Sequence, residues 1–203
     1  VYTENTSFQN NICGNSIDEI MKDRHGNIWF SSHGGGLSIY SPVSEKIKYY
    51  TKNFYPNSLQ GSLISCFCED NKGDIWLGLD GNGLSKFDKK NGSFTSFTTK
   101  NGLSSNAVLS ICETNPGIIA IGTWNGGLNL FDTRSNEFKK YLYQTSRKDS
   151  TLQGIHYLHY DKTTNYLWCT TFEDGIQIFN CSKQRFLSLK EIKSYFPEYK
   201  LHN

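Results

Sequence analysis

The chain has 203 residues, enough for a large domain with a substantial core. Its 14% aromatic content and 18 Gly, against four Pro and one Met, point to β structure. A formal net charge of +2 gives no electrostatic case for nucleic acid or an anionic membrane. No apolar run approaches the ~20 residues of a membrane-spanning helix. No N-terminal segment has the basic-then-apolar layout of a secretory leader. The first residue is Val1, so the chain reads as a piece of a longer protein, in which missing targeting signals say little about location.

Residues 1–16 read as an entering linker. Residues 17–51 then hold the first copy of a unit that recurs over 64–98, 108–142 and 155–189, with an exit linker at 190–203. The copies align on Trp29, Trp76, Ala120 and Trp168, which stand 47, 44 and 48 residues apart. Seven residues after each anchor comes Gly36, Gly83, Gly127 or Gly175, followed by Leu37, Leu84, Leu128 or Ile176. Eleven after it comes Tyr40, Phe87, Phe131 or Phe179. Further columns follow at eighteen (Ile47, Phe94, Phe138, Phe186) and twenty-one (Tyr50, Phe97, Tyr141, Leu189). Upstream, Ile17, Ile64 and Val108 stand twelve before the anchor, and Ile155 joins them if the turn after Asp161 is one residue longer.

Each copy divides into four short apolar or alternating runs bounded by turn residues, as in LISCFCED, DIWLGL, GLSKFD and SFTSFT of the second. The Gly cluster before the third run supplies the positive φ of a hairpin. A four-stranded unit of this length is a β-propeller blade. The fold class is therefore all-β, four antiparallel four-stranded blades in an open arc cut from a larger propeller. An arc leaves blade faces uncovered, so self-association through them and packing against the remaining blades of the full-length protein are the expected partners. The Trp plates are expected to pack blade on blade, with Trp124 a candidate to fill the gap left by Ala120.

The six Cys do not form a metal pattern. Cys66-x-Cys68 is too close for a zinc ribbon, and Cys66, Cys68, Cys112 and Cys169 fall within strand runs. Free buried thiols are expected, with no metal and no cofactor. His156 and His159 sit at i, i+3 of a strand run and so are expected on opposite faces.

The pattern Asp-x-x-Gly-x-Ile-Trp, then Gly-Gly-Leu, an aromatic and Phe-x-x-Tyr, resembles the two-component regulator propeller repeat. It is carried by DRHGNIWFSSHGGGLSIY, EDNKGDIWLG, GNGLSKFD and SFTSF, and by the linkers NSLQGSLISC and NGLSSNAVLSI. The resemblance covers about residues 11–189. Departures are Ala120, Thr114 and Pro116 in the third copy and TTNYLW in the fourth. The family supplies the periplasmic sensor region of Bacteroides-type hybrid sensor histidine kinases that regulate polysaccharide use. The resemblance thus implies a non-catalytic ligand-sensing module of an inner-membrane protein, with an oligosaccharide as ligand and no nucleic acid bound by this part.

In propellers, the turns between second and third strands crowd one face with the linkers between blades. Four residues after each anchor stand His33, Asp80, Trp124 and Phe172, beside Asn82, Asn125, Glu173 and Asp174. An aromatic platform with amides and carboxylates is what a sugar uses, stacking its CH faces and hydrogen-bonding its hydroxyls. Asn, Asp and Gly are also ordinary turn residues, so each position has a purely structural reading. The competing class is a propeller enzyme of the streptogramin-lyase or glycosidase type. His33 and Glu173 are its one tempting acid–base pair, and they sit in the first and fourth copies. The spacings Asp23 to Gly26 and Asp70 to Gly73 are one residue longer than an Asp-box.

Overall fold

In a computed structural model, residues 12–144 and 153–195 are described, and they form four antiparallel sheets of four strands each. The first sheet holds β1 (Ile17–Lys22), β2 (Ile28–Ser32), β3 (Gly36–Ser41) and β4 (Lys46–Tyr50). The second holds β5 (Ile64–Glu69), β6 (Ile75–Leu79), β7 (Gly83–Asp88) and β8 (Ser93–Phe97). The third holds β9 (Val108–Glu113), β10 (Ile118–Thr123), β11 (Leu128–Asp132) and β12 (Glu137–Tyr141). The fourth holds β13 (Ile155–Asp161), β14 (Tyr166–Thr171), β15 (Ile176–Asn180) and the short β16 (Arg185–Phe186). Strand order follows chain order in every sheet, and the first strands of successive sheets pack side by side. This is a propeller arc with β1, β5, β9 and β13 innermost.

Turn chemistry explains why the unit folds this way. Gly36, Gly83 and Gly127 have φ of +103, +82 and +72. A Cβ there would also strike the carbonyl of Tyr50, Phe97 or Tyr141 at the end of the fourth strand. Only glycine meets both demands. Asp23 and Asp70 cap the hairpin between first and second strands. One carboxylate oxygen of Asp23 accepts from the N–H of His25 and Asn27, and the other from Trp29 Nε1 (3.0 Å). Asp70 does the same for Lys72, Asp74 and Trp76 Nε1 (2.9 Å). The carboxylate therefore closes the turn and holds the anchor indole in one orientation.

The anchors plug one blade into the next. Trp29 stands edge-on to Phe87 with centroids 5.3 Å apart, and Trp76 to Phe131 at 5.7 Å. The aromatic twenty-one residues after the anchor meets the same ring of the next blade: Tyr50 on Phe87, Phe97 on Phe131, Tyr141 on Phe179, at 5.2, 4.9 and 4.8 Å. Each interface thus buries a ring cluster, and truncating Trp29 or Trp76, the fully buried anchors of the first two, costs about 3–5 kcal/mol.

The third junction departs from this pattern, and Trp124 does not fill it. Ala120 is buried among Leu128, Leu130, Leu158, Leu167 and Phe179, with Tyr160 of the next blade packed against the cluster. Trp124 lies outside it, 49% exposed. Thr114 replaces the capping Asp in the one blade that has no indole to hold, so both partners of that hydrogen bond are absent together.

The end of the chain also differs from its sequence reading. Residues 189–195, read as the last blade residue and an exit linker, form the helix α1 (Leu189–Tyr195). Ile192 of α1 is buried with Ile178 and Leu187, and Trp168 and Ile176 pack against them. Leu189, assigned by alignment to the twenty-one column, lies in the helix and is exposed. Glu191 secures this end. It accepts from Arg185 Nη1 (2.9 Å) and from Ser188 N and Oγ (2.9 Å each), which hold its carboxyl well below the usual carboxylate range.

Candidate functional site

In the first three blades the turn between second and third strands is tied to the linker that enters its blade. His33 N donates to Ser16 O (2.8 Å), Asp80 N to Leu63 O (2.9 Å) and Trp124 N to Ala107 O (3.0 Å). The backbone at the variable position is thus held alike in three blades, and only the side chain changes. In the third and fourth blades a threonine adds a clamp. Thr123 Oγ1 donates to Gly127 O (3.0 Å) and accepts from Gly126 N (3.0 Å). Thr171 Oγ1 donates to Gly175 O (2.9 Å) and accepts from Asp174 N (3.0 Å).

These two turns meet. The rings of Trp124 and Phe172 lie 4.7 Å apart at 57°, with Phe172 44% exposed. His156 stands edge-on to Phe172 at 5.4 Å. Phe172 lies over Gly154, where an added methyl would overlap the ring and the Trp124 carbonyl. Gln153 stitches the seam below: its carbonyl accepts from Gly127 N (2.7 Å) and its side-chain oxygen from Tyr143 N (3.1 Å). Burial pushes the Tyr143 hydroxyl above its ordinary pKa, and Asp174 adds to the effect. Asn125 and Glu173 are exposed beside the aromatic pair, and Asp174 is half-buried with its carbonyl accepting from Gln177 Nε2 (3.1 Å).

The other expected positions stay in their own blades. His33 Nδ1 lies 3.1 Å from an Asp18 carboxylate oxygen, so its partner is Asp18 in place of Glu173. Asp80 is exposed. Asn82 is half-buried against Gly61, where a Cβ would come within 2.6 Å of its side-chain oxygen. Among the described residues, no ring or hydrogen-bond contact joins His33, Asp80 or Asn82 to the Trp124–Phe172 pair. Nor do three or more His, Cys, Asp or Glu side chains there gather as a metal site.

Sequence alignment missed the bulge that shapes this face. Pairing between first and second strands skips Asp18, Ser65, Leu109 and His156 in turn. A bulge re-aims its side chain. It brings Asp18 to His33 and His156 to Phe172, and it lets Ser65 Oγ donate to Val108 O (2.6 Å). The bulge also breaks the strict alternation assumed for His156 and His159. Thr three residues after the anchor in both the third and fourth copies was the legible signal for the turn clamps. The signal for His156 was the shared column after Ile17, Ile64, Val108 and Ile155.

No disulfide joins the six cysteines. Burial pushes Cys66 up to about 12 and Cys68 and Cys181 up to about 11, and it raises Cys112 and Cys169 as well. None of these five is a poised nucleophile.

Residues 58–81, from the linker before β5 to the turn after β6, match the family described as two component regulator propeller. No curated protein sequence matches the chain. The fold is similar to the extracellular domain of BT3049 from B. thetaiotaomicron, described as a hybrid two component system. The TM-score is 0.78 at 21% identity, over 92% of this chain and 25% of that one. The extracellular domain of BT4673 from the same organism matches with a TM-score of 0.68 at 19% identity, over 88% of this chain and 26% of that one. The β-propeller domain of Myceliophteria thermophila Cps50 (Swd1) matches at 0.64 and 11% identity, over 90% and 56%. The chain therefore spans about a quarter of each B. thetaiotaomicron domain. At these identities the likeness establishes the fold, a set of β-propeller blades.

Proposed function

We propose that this chain, built of two component regulator propeller blades, is a non-catalytic ligand-sensing module. It belongs to the periplasmic part of a hybrid two-component sensor histidine kinase that controls polysaccharide use. The similarity to BT3049 and BT4673, extracellular domains described as belonging to hybrid two component systems, supports the sensor part of this reading. The observation that carries the binding role is the Trp124–Phe172 pair. Two large apolar rings from different blades are held half in water by clamped turns, next to Asn125, Glu173 and His156. Rings left in solvent by a rigid backbone suit the apolar face of a sugar, and the flanking amide and carboxylate suit its hydroxyls.

A thermal-shift screen with oligosaccharides of defined linkage tests the reading. A ligand at a hundredfold excess over its Kd adds about 2.7 kcal/mol of stability and raises the melting temperature by several degrees. Trp124→Ala and Phe172→Ala should each abolish that shift while leaving the unliganded melt near the parent value. A ligand-induced shift that survives both changes removes the pair from the binding site.

A further inference from the structure

The formal net charge of +2 hides a segregation. Residues 46–63 and 89–107 hold six Lys and no Asp or Glu, leaving 15 of the 21 Lys and Arg against all 19 Asp and Glu elsewhere. The two segments are neighbours in the fold. They supply β4 and β8, the outermost strands of the first two sheets, and the linkers that follow them. Tyr50 at the end of β4 stands edge-on to Phe94 of β8, with centroids 5.5 Å apart. Lys89 is taken up by Asp23 and Glu69. Lys46, Lys48, Lys52, Lys90 and Lys100 are exposed, and none of them joins an ion pair among the described residues.

A projecting aromatic tip stands on this basic rim. Residues 51–63 are three longer than the corresponding linker 98–107. The second linker has only Gly102 between Asn101 and the buried Leu103, whereas the first has residues 54–58 between Asn53 and the buried Leu59. Phe54 is 88% and Tyr55 72% exposed, and the Lys52 ammonium lies 5.5 Å from the Phe54 ring centre. Pro56 and Asn57, with φ +61 at Asn57, make a type II turn closed by Ser58 N donating to Tyr55 O (3.3 Å). Ser58 Oγ donates to Asn53 O (2.8 Å), Gln60 Nε2 to Tyr55 O (3.1 Å) and Tyr55 N to Asn53 Oδ1 (3.2 Å). Asn57 O accepts from Phe94 N (2.8 Å) on the outer edge of β8. The polar side chains of this loop therefore turn inward onto its own backbone, whereas Asn125 and Glu173 are exposed beside Trp124 and Phe172. A sugar needs outward partners for its hydroxyls. A bilayer interface needs the reverse: rings outside, backbone groups already paired, and cations at the flank.

We infer that the outer rim of the first two blades docks on an anionic lipid bilayer. Phe54 and Tyr55 enter the headgroup region, and the exposed lysines face the lipid phosphates. Either contribution alone is marginal, and the two together make a reversible anchor.

Cosedimentation with vesicles tests this. The chain should pellet with vesicles of phosphatidylglycerol and phosphatidylethanolamine and stay in solution with phosphatidylcholine alone, and added salt should release it. Phe54→Ala combined with Tyr55→Ala should lower the partition coefficient about tenfold, and Lys48→Gln combined with Lys52→Gln by about the same factor. All four side chains are exposed, so the melting temperature should stay at the parent value. In Phe54→Trp, bromine-labelled acyl chains should quench the emission that the new indole adds. Equal partition into both kinds of vesicle, or none into the anionic ones, overturns the bilayer contact. Tighter binding to heparin that survives Phe54→Ala, with no quenching by the labelled chains, assigns the rim to a soluble polyanion and overturns it as well.

Discussion

Replacing Asp23 by Ala should cost far more than its place in a surface hairpin implies, because its carboxylate serves both the turn and the core. The side chain is fully buried and accepts four hydrogen bonds: from His25 N (3.0 Å), Asn27 N (2.9 Å), Asn27 Nδ2 (3.0 Å) and Trp29 Nε1 (3.0 Å). The donors at the turn can turn to water. The indole N–H cannot, since Trp29 is packed against Phe87, and an unsatisfied buried donor costs about 1–3 kcal/mol. With the lost turn bonds the sum is about 3 kcal/mol. In a Trp29→Phe background the orphaned donor is gone, so Asp23→Ala should cost about 1–2 kcal/mol less there. Urea unfolding followed by far-UV circular dichroism measures the cycle, with an unchanged slope as the check on two-state behaviour. Burial opposes ionisation of Asp23, but the hydrogen bonds from Asn27 and Trp29 outweigh it and leave the carboxyl below its ordinary value. The native state therefore gains from this group above the unfolded pKa near ~3.9, and loses that gain as pH falls below it. The coupling should shrink toward pH 2. A coupling near zero at pH 7 would refute the idea that the aspartate and the indole act as one unit.

Ala120→Trp, which restores the repeat pattern, should destabilise by about 3 kcal/mol in the same assay, because Leu130 and Tyr160 already occupy the junction. Ile192→Ala should cost about 2–4 kcal/mol and shift the Trp168 emission to the red, as α1 lifts from the fourth blade. In the native protein Cys66, Cys68, Cys112, Cys169 and Cys181 should resist alkylation at pH 8 and react together only on unfolding, as read by mass spectrometry. Their raised pKa values favour the fold fully below about pH 9, the unfolded thiol range, and that contribution is lost as pH climbs toward 11 and 12.

Much of the architecture was legible because its determinants are local and repeated. A positive φ demands Gly at positions 36, 83 and 127, a tight hairpin demands a turn sequence, and a blade interface demands a large apolar plate at a constant offset. These constraints act within one unit, so a sequence that repeats them at a constant spacing declares four blades by itself, even where Ala120 breaks one column. The turn positions that carry Trp124 and Phe172 were legible in the same way, as the places where the copies differ. The sequence alone thus determined the blade, its strand order within the sheet and which residues a shared face would offer.

What the tertiary structure decided lies between units. Trp124 could have filled the space beside Ala120, but Tyr160, eight residues before the fourth anchor and outside every alignment column, packs against that cluster instead. Leu189 fell on a repeat column and residues 190–195 read as exit linker, yet 189–195 coiled into a helix, since Ile192 could bury there against Ile178 and Leu187. The bulges at Asp18 and His156 brought two ordinary strand positions against His33 and Phe172 in the turns between second and third strands. Each outcome depends on which surface a neighbouring strand, blade or helix presents, and the free energy of filling that surface has no trace in the local pattern.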